Sequence, residues 1–576
     1  MLNKIFWIGL LFFATGCKEN KQTATPNASD KSTYPLNCAP QTTDKNWYDS
    51  GEKAPLIPGL AGINFQISTS SIEAQQYFNQ GMMLSYGFNH AEAARSFYEA
   101  TRLDSSCAMA YWGYAYVLGP NYNAGMEDDN YERAFKATSK ALSLLSRSTL
   151  KEQALIRALS YRYVAIPPTD RHPLDSAFSA AMKTVYQQYP DDPDISAIYV
   201  ESIMDLHPWD LYVKKTKQAR PWTPEIVSIL EKLIEKYPKH PGAPHFYIHA
   251  VEASQHPERA LESANLLMTL VPGSGHLIHM PSHIYIWTGD YHLGSLANLK
   301  AVESDSAYLT ACHAQGAYPL SYFPHNYHYL AATATLEGNS KLAWMAAKKV
   351  QEHTAQEIMK QPGWGTLQHY YTIPYYVAVK FMMWDTIVAM PSRYDSLVYP
   401  TAVLHYARGM AFLGKEDIAK AESEWKKLKQ CSLDTGLKQL TIWGINSMND
   451  IVQIAVNVLW AEICHKKKQY KDAVALFQKA IAIEDNLNYD EPPDWFFSVR
   501  HNLGKTLLDA GRFAEAEIVY QQDLKMYREN TWALAGLSFA LKKQNNHKEY
   551  EIVRKRFLKS ARFSDTSPIE LSQALN

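Results

Sequence analysis

The sequence predicts an all-α protein, an α-solenoid in which pairs of helices stack side by side. Glycine is sparse, at 26 of 576 residues, which favours helices joined by tight turns over a large β-protein. Large and small residues also recur with the spacings 4, 3, 9, 4 and 3, which predicts two antiparallel helices with small residues where they cross. The first instance of this pattern is Tyr77, Gly81, Leu84, Ala93, Phe97 and Ala100.

The same register recurs along most of the chain, in units of 34 residues. Units in a common register predict a repeat array, because each helical pair buries its apolar face only against its neighbours. The stretches near 120–235 and 358–400 fit the register poorly. One unit begins at Ala74, and six others occupy 241–274, 275–308, 324–357, 402–435, 454–487 and 497–530.

These units resemble the tetratricopeptide repeat (TPR), although the tryptophan usual at position 4 is absent. The resemblance implies helix–turn–helix repeats whose first helices line a concave groove with positions 2, 5 and 9. Residues 88–121 and 489–517 are also similar to an uncharacterised subfamily of exported bacterial TPR lipoproteins. That second resemblance strengthens the fold prediction and implies no chemistry.

The first 16 residues predict a signal peptide. Lys4 precedes the ten-residue apolar run Ile5–Ala14, which is far shorter than the roughly 20 residues that span a bilayer. The run ends at Cys17 in a sequence that resembles a bacterial lipobox, which implies acylation of this cysteine. Lys18 then favours, by resemblance, a lipid-anchored protein of the outer membrane that faces the periplasm or the cell surface. An ordinary signal peptide with an incidental cysteine is the alternative.

The remaining organisation follows from composition and register. The chain carries 57 Lys+Arg against 58 Asp+Glu, which argues against a nucleic-acid partner because such proteins need a basic excess. The five other cysteines are scattered, without zinc-ribbon spacing, and their pairing is left open. The predicted segments are a lipidated N-terminus and flexible linker (17–62), an N-terminal TPR array with a His-rich groove (63–357), a degenerate helical connection (358–401), a C-terminal TPR array (402–562) and a tail (563–576).

Histidines concentrate in three successive units, since eleven of the 20 lie between His240 and His328. Spacings of three, four and seven residues keep side chains on one helix face, and the repeat returns that face to the same side. We therefore expect the histidines at positions 2, 5 and 9 to form one surface. They are His245, His249, His276, His279, His283, His325 and His328.

Two details modify this expectation. Pro281 interrupts any helix through 275–287, which places His276 and His279 on the loop that enters it. His501 falls at position 5 of its own unit, as a further candidate from the far end of the coil. By contrast His172, His353 and His547 lie outside the pattern, and we expect them elsewhere in the structure.

A His-lined groove has two functional interpretations. The first, which we take as the main prediction, is a membrane-tethered scaffold that binds a protein or peptide partner in the groove and contacts the membrane only through its lipid. The second is a metal-binding protein or metal-dependent enzyme, because imidazole is a common ligand of Zn, Cu and Fe. Glu252, three residues after His249, and Glu491, in a proline-containing segment, would add carboxylates. The sequence assigns no residue a catalytic role.

Overall fold

The structure, a computed structural model, describes residues 45–60, 62–312, 318–394 and 396–566. Within these ranges nearly all regular structure is helical, and the strands Thr441–Ile442 and Asn446–Ser447 form one short antiparallel pair. The prediction of an all-α fold is confirmed. Among the described residues, no helix has the length and apolarity to cross a membrane. Cys17 and the predicted signal peptide lie outside the described residues.

The helices follow one another in pairs along the chain. Those of the first third are α1 (Lys45–Ser50), α2 (Ile72–Tyr86), α3 (His90–Leu103), α4 (Ala108–Leu118), α5 (Asn130–Ser143), α6 (Leu150–Leu159), α7 (His172–Gln188), α8 (Pro193–Leu206) and α9 (Thr223–Lys236). Those of the middle are α10 (Gly242–Val251), α11 (Leu261–Leu270), α12 (Gly275–His279), α13 (Pro281–Thr288), α14 (Tyr291–Cys312), α15 (Phe323–Leu336), α16 (Ser340–His353), α17 (Gly365–Lys380) and α18 (Trp384–Ala389). The last are α19 (Val398–Gly414), α20 (Ile418–Cys431), α21 (Met448–Lys466), α22 (Tyr470–Glu484), α23 (Arg500–Asp509), α24 (Phe513–Met526), α25 (Thr531–Lys543) and α26 (His547–Ser560).

In several units, among them α2–α3, α15–α16, α21–α22 and α23–α24, a turn of three residues joins the two helices. Its middle residue has a positive φ, such as Phe88 at 52° between α2 and α3 and Gly338 at 83° between α15 and α16. The next residue caps the following helix, because the side chains of Asn89 and Asn339 each accept a hydrogen bond from the backbone N–H three residues on. This turn reverses the chain in little space, so the second helix packs directly on the first.

Large residues of one helix fill the space left by glycines of its neighbours. A Cβ atom added to Gly504 would lie 2.4 Å from the ring of Tyr520, and one added to Gly536 would lie 2.2 Å from it. Phe97 contacts Gly81 and Gly113 in the same way. These contacts explain the spacing of small and large residues in the sequence.

The C-terminal helices pack against the middle of the chain and close the coil. Trp532 of α25 donates its indole N–H to the carbonyl of Thr335 in α15 (2.8 Å), and the Tyr291 hydroxyl donates to the carbonyl of Arg528 (2.6 Å). The loop between α22 and α23 fills the interior, and its Glu491 is 4% exposed. The expectation of an open groove is therefore wrong. Burial of aromatic side chains such as Tyr527, on which the partly buried Trp287 packs, favours the closed arrangement.

Parts of the predicted linker and tail contact the helices. In the linker, Tyr48 lies against Tyr98, and Ala54 and Leu60 are buried. The first residues of the predicted tail are docked too, because Phe563 stacks on His292 with ring centroids 3.5 Å apart. The apolar core divides at α13, where a cluster from Leu60 to Tyr285 meets one from Ile286 to Phe557, and not at 358–401.

Candidate metal centre

Six histidines and two glutamates meet in the interior, where the middle repeats face the loop between α22 and α23. All eight side chains are buried, with His325 the most exposed at 9%. α10 carries the first two histidines, α12 the next two, and α13 and α15 one each. The eight residues are His245, His249, Glu252, His276, His279, His283, His325 and Glu491.

The potential ligand atoms form three groups. Within each group, the atoms lie within 4.8 Å of one another. We call the first site A and the second site B. The third group shares His249 with site A and His283 with site B. Site A is His245, His249 and His276; site B is His279, His283 and His325; the third group is His249, Glu252, His283 and Glu491.

In site A, hydrogen bonds fix which ring nitrogen carries the proton in two of the three imidazoles. The Nδ1 atom of His245 lies 2.6 Å from the carbonyl oxygen of Tyr86, and Nδ1 of His249 lies 2.8 Å from a carboxylate oxygen of Glu252. Both partners accept, so each Nδ1 carries a proton and each Nε2 keeps a free lone pair. Those Nε2 atoms have no hydrogen-bond partner in the described part of the chain.

Site B is arranged in the same way. His279 Nδ1 lies 2.7 Å from the amide oxygen of Asn298, whose own NH₂ donates to the carbonyl of Gly294 (2.8 Å) and so fixes the amide orientation. His283 Nδ1 lies 2.7 Å from Glu252 and 2.7 Å from Glu491. The Nε2 atoms of these two histidines lie 2.8 Å apart, close enough for one shared proton or one cation to hold them together.

Burial sets the charge of these imidazoles. It lowers the pKa of His245, His249, His276, His279 and His325 well below the usual range, and neighbouring histidines lower these pKa values further. The rings are therefore neutral at pH 7, which is the form that coordinates metals. Both nitrogens of His276 and Nδ1 of His325 are also without partners among the described residues. An unpaired buried polar atom lowers the free energy of unfolding by about 1–3 kcal/mol, so the cluster destabilises the fold when no ligand is bound.

The two carboxylates lie between the sites. Glu252 accepts from Nδ1 of both His249 and His283, and the Tyr489 hydroxyl donates to Glu252 (3.1 Å) and to Glu491 (3.0 Å). Burial raises the pKa of Glu252 to about 7 and that of Glu491 to about 8, the latter raised further by the charge of Glu252. Because Glu252 holds one histidine of each site, it orients both sites at once.

Not every predicted residue joins the cluster. His328 belongs to none of the three groups and stacks on Phe496, with ring centroids 5.5 Å apart. The ring nitrogens of His501 bond Lys380 and Asp523 instead. Met280 and Pro281 break the helix as expected, but His276 and His279 lie in the short helix α12 and not in a loop. The histidines expected elsewhere, at positions 172, 353 and 547, are exposed and outside the cluster.

Sequence reasoning missed two groups that orient the ligands. One is the Tyr86 carbonyl, which no side-chain pattern marks. The other is Asn298, which occupies position 24 of its unit, where other units carry Phe97, Phe477 or Tyr520. A buried amide at a position otherwise filled by an aromatic ring was the available signal.

Comparison with known families identifies one of the repeats. Residues 498–530 match the family model described as a tetratricopeptide repeat. This chain carries a TPR. The match covers α23 and α24 and agrees with the unit predicted at 497–530, so the predicted register is confirmed there. A comparison with curated proteins gives no match.

Several solved structures align with this TPR-containing chain over most of its length. Human IFIT1, solved as a dimer with m7Gppp-AAAA, is 15% identical over 79% of this chain and 90% of its own, with a TM-score of 0.30. The Cut9 and Hcn1 assembly of APC/C is 12% identical over 90% and 79%, at 0.28. Yeast Tom70 is 12% identical over 87% and 94%, at 0.25. Because these TM-scores are low, we draw no functional inference from them.

Proposed function

We propose that this protein binds two divalent transition-metal ions, one in site A and one in site B. The observation that carries the proposal is the orientation of four imidazoles. His245, His249, His279 and His283 each direct Nδ1 to an oxygen acceptor. Among the described residues Nε2 of His245 and of His249 has no partner, and the Nε2 atoms of His279 and His283 face each other. Metal-ligating histidines have this arrangement, because an acceptor on one nitrogen holds the other unprotonated and aimed at the ion.

The donor set limits the choice of metal. Each site offers three imidazoles and no thiolate, a set that suits Zn, Cu or Fe and disfavours ions that require oxygen cages. Three protein ligands leave a further position for water or another small ligand. We count two ions because the third group uses Nδ1 atoms that already donate to Glu252, which places Glu252 outside the coordination spheres.

The same geometry argues against a peptide in the interior, which was the main prediction from the sequence. The histidines expected to contact a partner are at most 9% exposed, and the loop between α22 and α23 occupies the space beside them. TPR folds generally support protein interactions. For this chain we propose that such interactions use the outer helix faces, and that the lipid on Cys17 tethers the exported protein to the outer membrane.

Elemental analysis of the full chain, purified without chelators and after loading with Zn²⁺, Cu²⁺ or Fe²⁺ in turn, tests the metal proposal. We expect two ions per chain. A variant with His245→Gln and His276→Gln should lose the ion of site A, and one with His279→Gln and His325→Gln the ion of site B. The matched control is His353→Gln, an exposed histidine outside the cluster. No binding of any of the three metals, or equal occupancy in all variants, would refute the proposal.

A further inference from the structure

Away from the metal centre, a cavity lies among the C-terminal helices, between α17, α19, α21 and α23. Its volume is about 280 Å³, larger than the roughly 150 Å³ that suffices for benzene in an engineered protein cavity. Aromatic side chains form much of its wall, and three lysines line it, among them Lys380 at the end of α17. The aromatic residues include Tyr376, Tyr406, Trp495, Phe497 and Trp532.

Lys380 belongs to a chain of hydrogen bonds that reaches into the core. Its Nζ atom lies 3.0 Å from Nδ1 of His501, and Nε2 of His501 lies 3.0 Å from a carboxylate oxygen of Asp523. Asn530 also donates to that oxygen (2.9 Å). Although burial raises the pKa of Asp523, hydrogen bonds from His501 and Asn530 outweigh it and lower that pKa. The Asp523 carboxylate therefore accepts the Nε2 proton, and Nδ1 of His501 is free to accept from Lys380.

Lys380 differs from the other lysines of the cavity wall. Lys466 and Lys505 pair with carboxylates, at 2.7 Å from Glu416 and 3.0 Å from Asp509. Within the described residues Lys380 has no such ion pair, and its Nζ lies 4.0 Å from the centroid of a Trp532 ring. Burial lowers the pKa of Lys380 to about 7, against the opposing charge of Asp523.

The surroundings of Lys380 contain few other charges. His501 and Lys505 face the cavity from α23, and Glu462 and Lys466 face it from α21, while Asp523 approaches from α24. Glu462 accepts a hydrogen bond from Asn502 (2.7 Å), and the two lysines have partners of their own. Near neutral pH Lys380 thus has a substantial uncharged fraction, and an uncharged amine is a nucleophile.

We propose that Lys380 forms a Schiff base with a small aromatic aldehyde bound in this cavity, with His501 as the group that moves the proton. The Nζ lone pair attacks the carbonyl carbon, the C=O π electrons pass to oxygen, and Nδ1 of His501 takes a proton from nitrogen. The imidazolium, stabilised by Asp523, returns that proton to the alkoxide oxygen, which gives the carbinolamine. His501 then carries the second nitrogen proton to the carbinolamine hydroxyl, which leaves as water while the C=N bond forms. The amine and aldehyde thus give an imine and one water, without an oxidant.

The test uses the full chain with benzaldehyde as the probe and sodium cyanoborohydride to reduce any imine to a stable benzylamine. Peptide mass spectrometry then locates the modified lysines. Because an ordinary lysine has a pKa near 10.4, we expect Lys380 at pH 7 to react at least about tenfold faster than Lys466 and Lys505. The rate at Lys380 should level off above about pH 7 to 8.

His501→Gln tests the proton transfer, because general acid–base groups contribute typically about 10²–10⁴-fold. We expect the rate at Lys380 to fall at least about tenfold, with Lys505 as the internal control. An unchanged rate would refute the role of His501. The positions of benzylated lysines in the wild-type protein give a test that needs no variant. If Lys466 and Lys505 are benzylated as fast as Lys380, the proposal is wrong. The result is independent of the metal sites, since it can be read from protein with or without bound metal.

Discussion

Glu252→Gln is the sharpest test of the paired metal sites. The substitution keeps the size and shape of the side chain and removes its charge. Besides the bond from Tyr489, the native carboxylate accepts a hydrogen bond from each of two histidines, from Nδ1 of His249 (2.8 Å) and from Nδ1 of His283 (2.7 Å). A glutamine has one carbonyl oxygen, so it accepts from one histidine and turns its NH₂ group toward the other.

His283 keeps a second acceptor for its Nδ1 proton, Glu491 (2.7 Å), so we expect the NH₂ group to face His249. His249 must then move its proton from Nδ1 to Nε2, because two donors cannot bond each other. A protonated Nε2 cannot coordinate, so one of the two ions should be lost. The other site keeps its ligands but exchanges a charged acceptor for a neutral one. Changes of this kind typically reduce metal affinity about 10- to 100-fold, which corresponds to about 1.4–2.7 kcal/mol.

The assay is elemental analysis after gel filtration, followed by competition of the remaining ion against a chelator of known affinity. Glu337→Gln is the matched control, because Glu337 is also a buried glutamate that bonds a histidine, His292 (3.2 Å), away from both sites. We expect about two ions in wild type and the control, and about one in Glu252→Gln. Two tightly held ions in Glu252→Gln, or an equal loss in the control, would contradict the shared role of Glu252.

Three further predictions concern acid stability, packing and the membrane. Burial lowers the pKa of His369 to about 3, so on acidification the unfolded chain takes up this proton before the folded chain does. The contribution of His369 to stability is therefore fully present above about pH 6.5. It is lost as the pH falls toward 3, by up to about 1.4 kcal/mol per pH unit. His369→Gln should therefore show a shallower decline of unfolding free energy between pH 6 and 4, and an unchanged slope would contradict this. Gly536→Ala places a Cβ atom 2.2 Å from the ring of Tyr520 and should cost about 1–3 kcal/mol in chemical denaturation. Cys17→Ser should release the protein from membranes, and unchanged membrane fractionation would refute lipidation.

The sequence by itself was enough for the local structure. Helix pairs and their turns depend on residues at most a few positions apart, such as Asn89 and Asn339 at the helix starts. The same periodicity was sufficient to place six histidines on one side of the stack, because a repeat returns equivalent positions to equivalent places. Glu252 and Glu491 were also recognised as carboxylates near these histidines.

Only the tertiary structure decided that the histidines are enclosed. Whether a coil of repeats stays open depends on small rotations that accumulate over many units and on contacts between its distant parts, such as Trp532 with Thr335. No local pattern encodes these contacts. The role of Lys380 was hidden for the same reason, because its partners His501 and Asp523 are more than a hundred residues away. Hydrogen-bond partners of buried groups are chosen by packing at long range, whereas helix formation is decided by near neighbours.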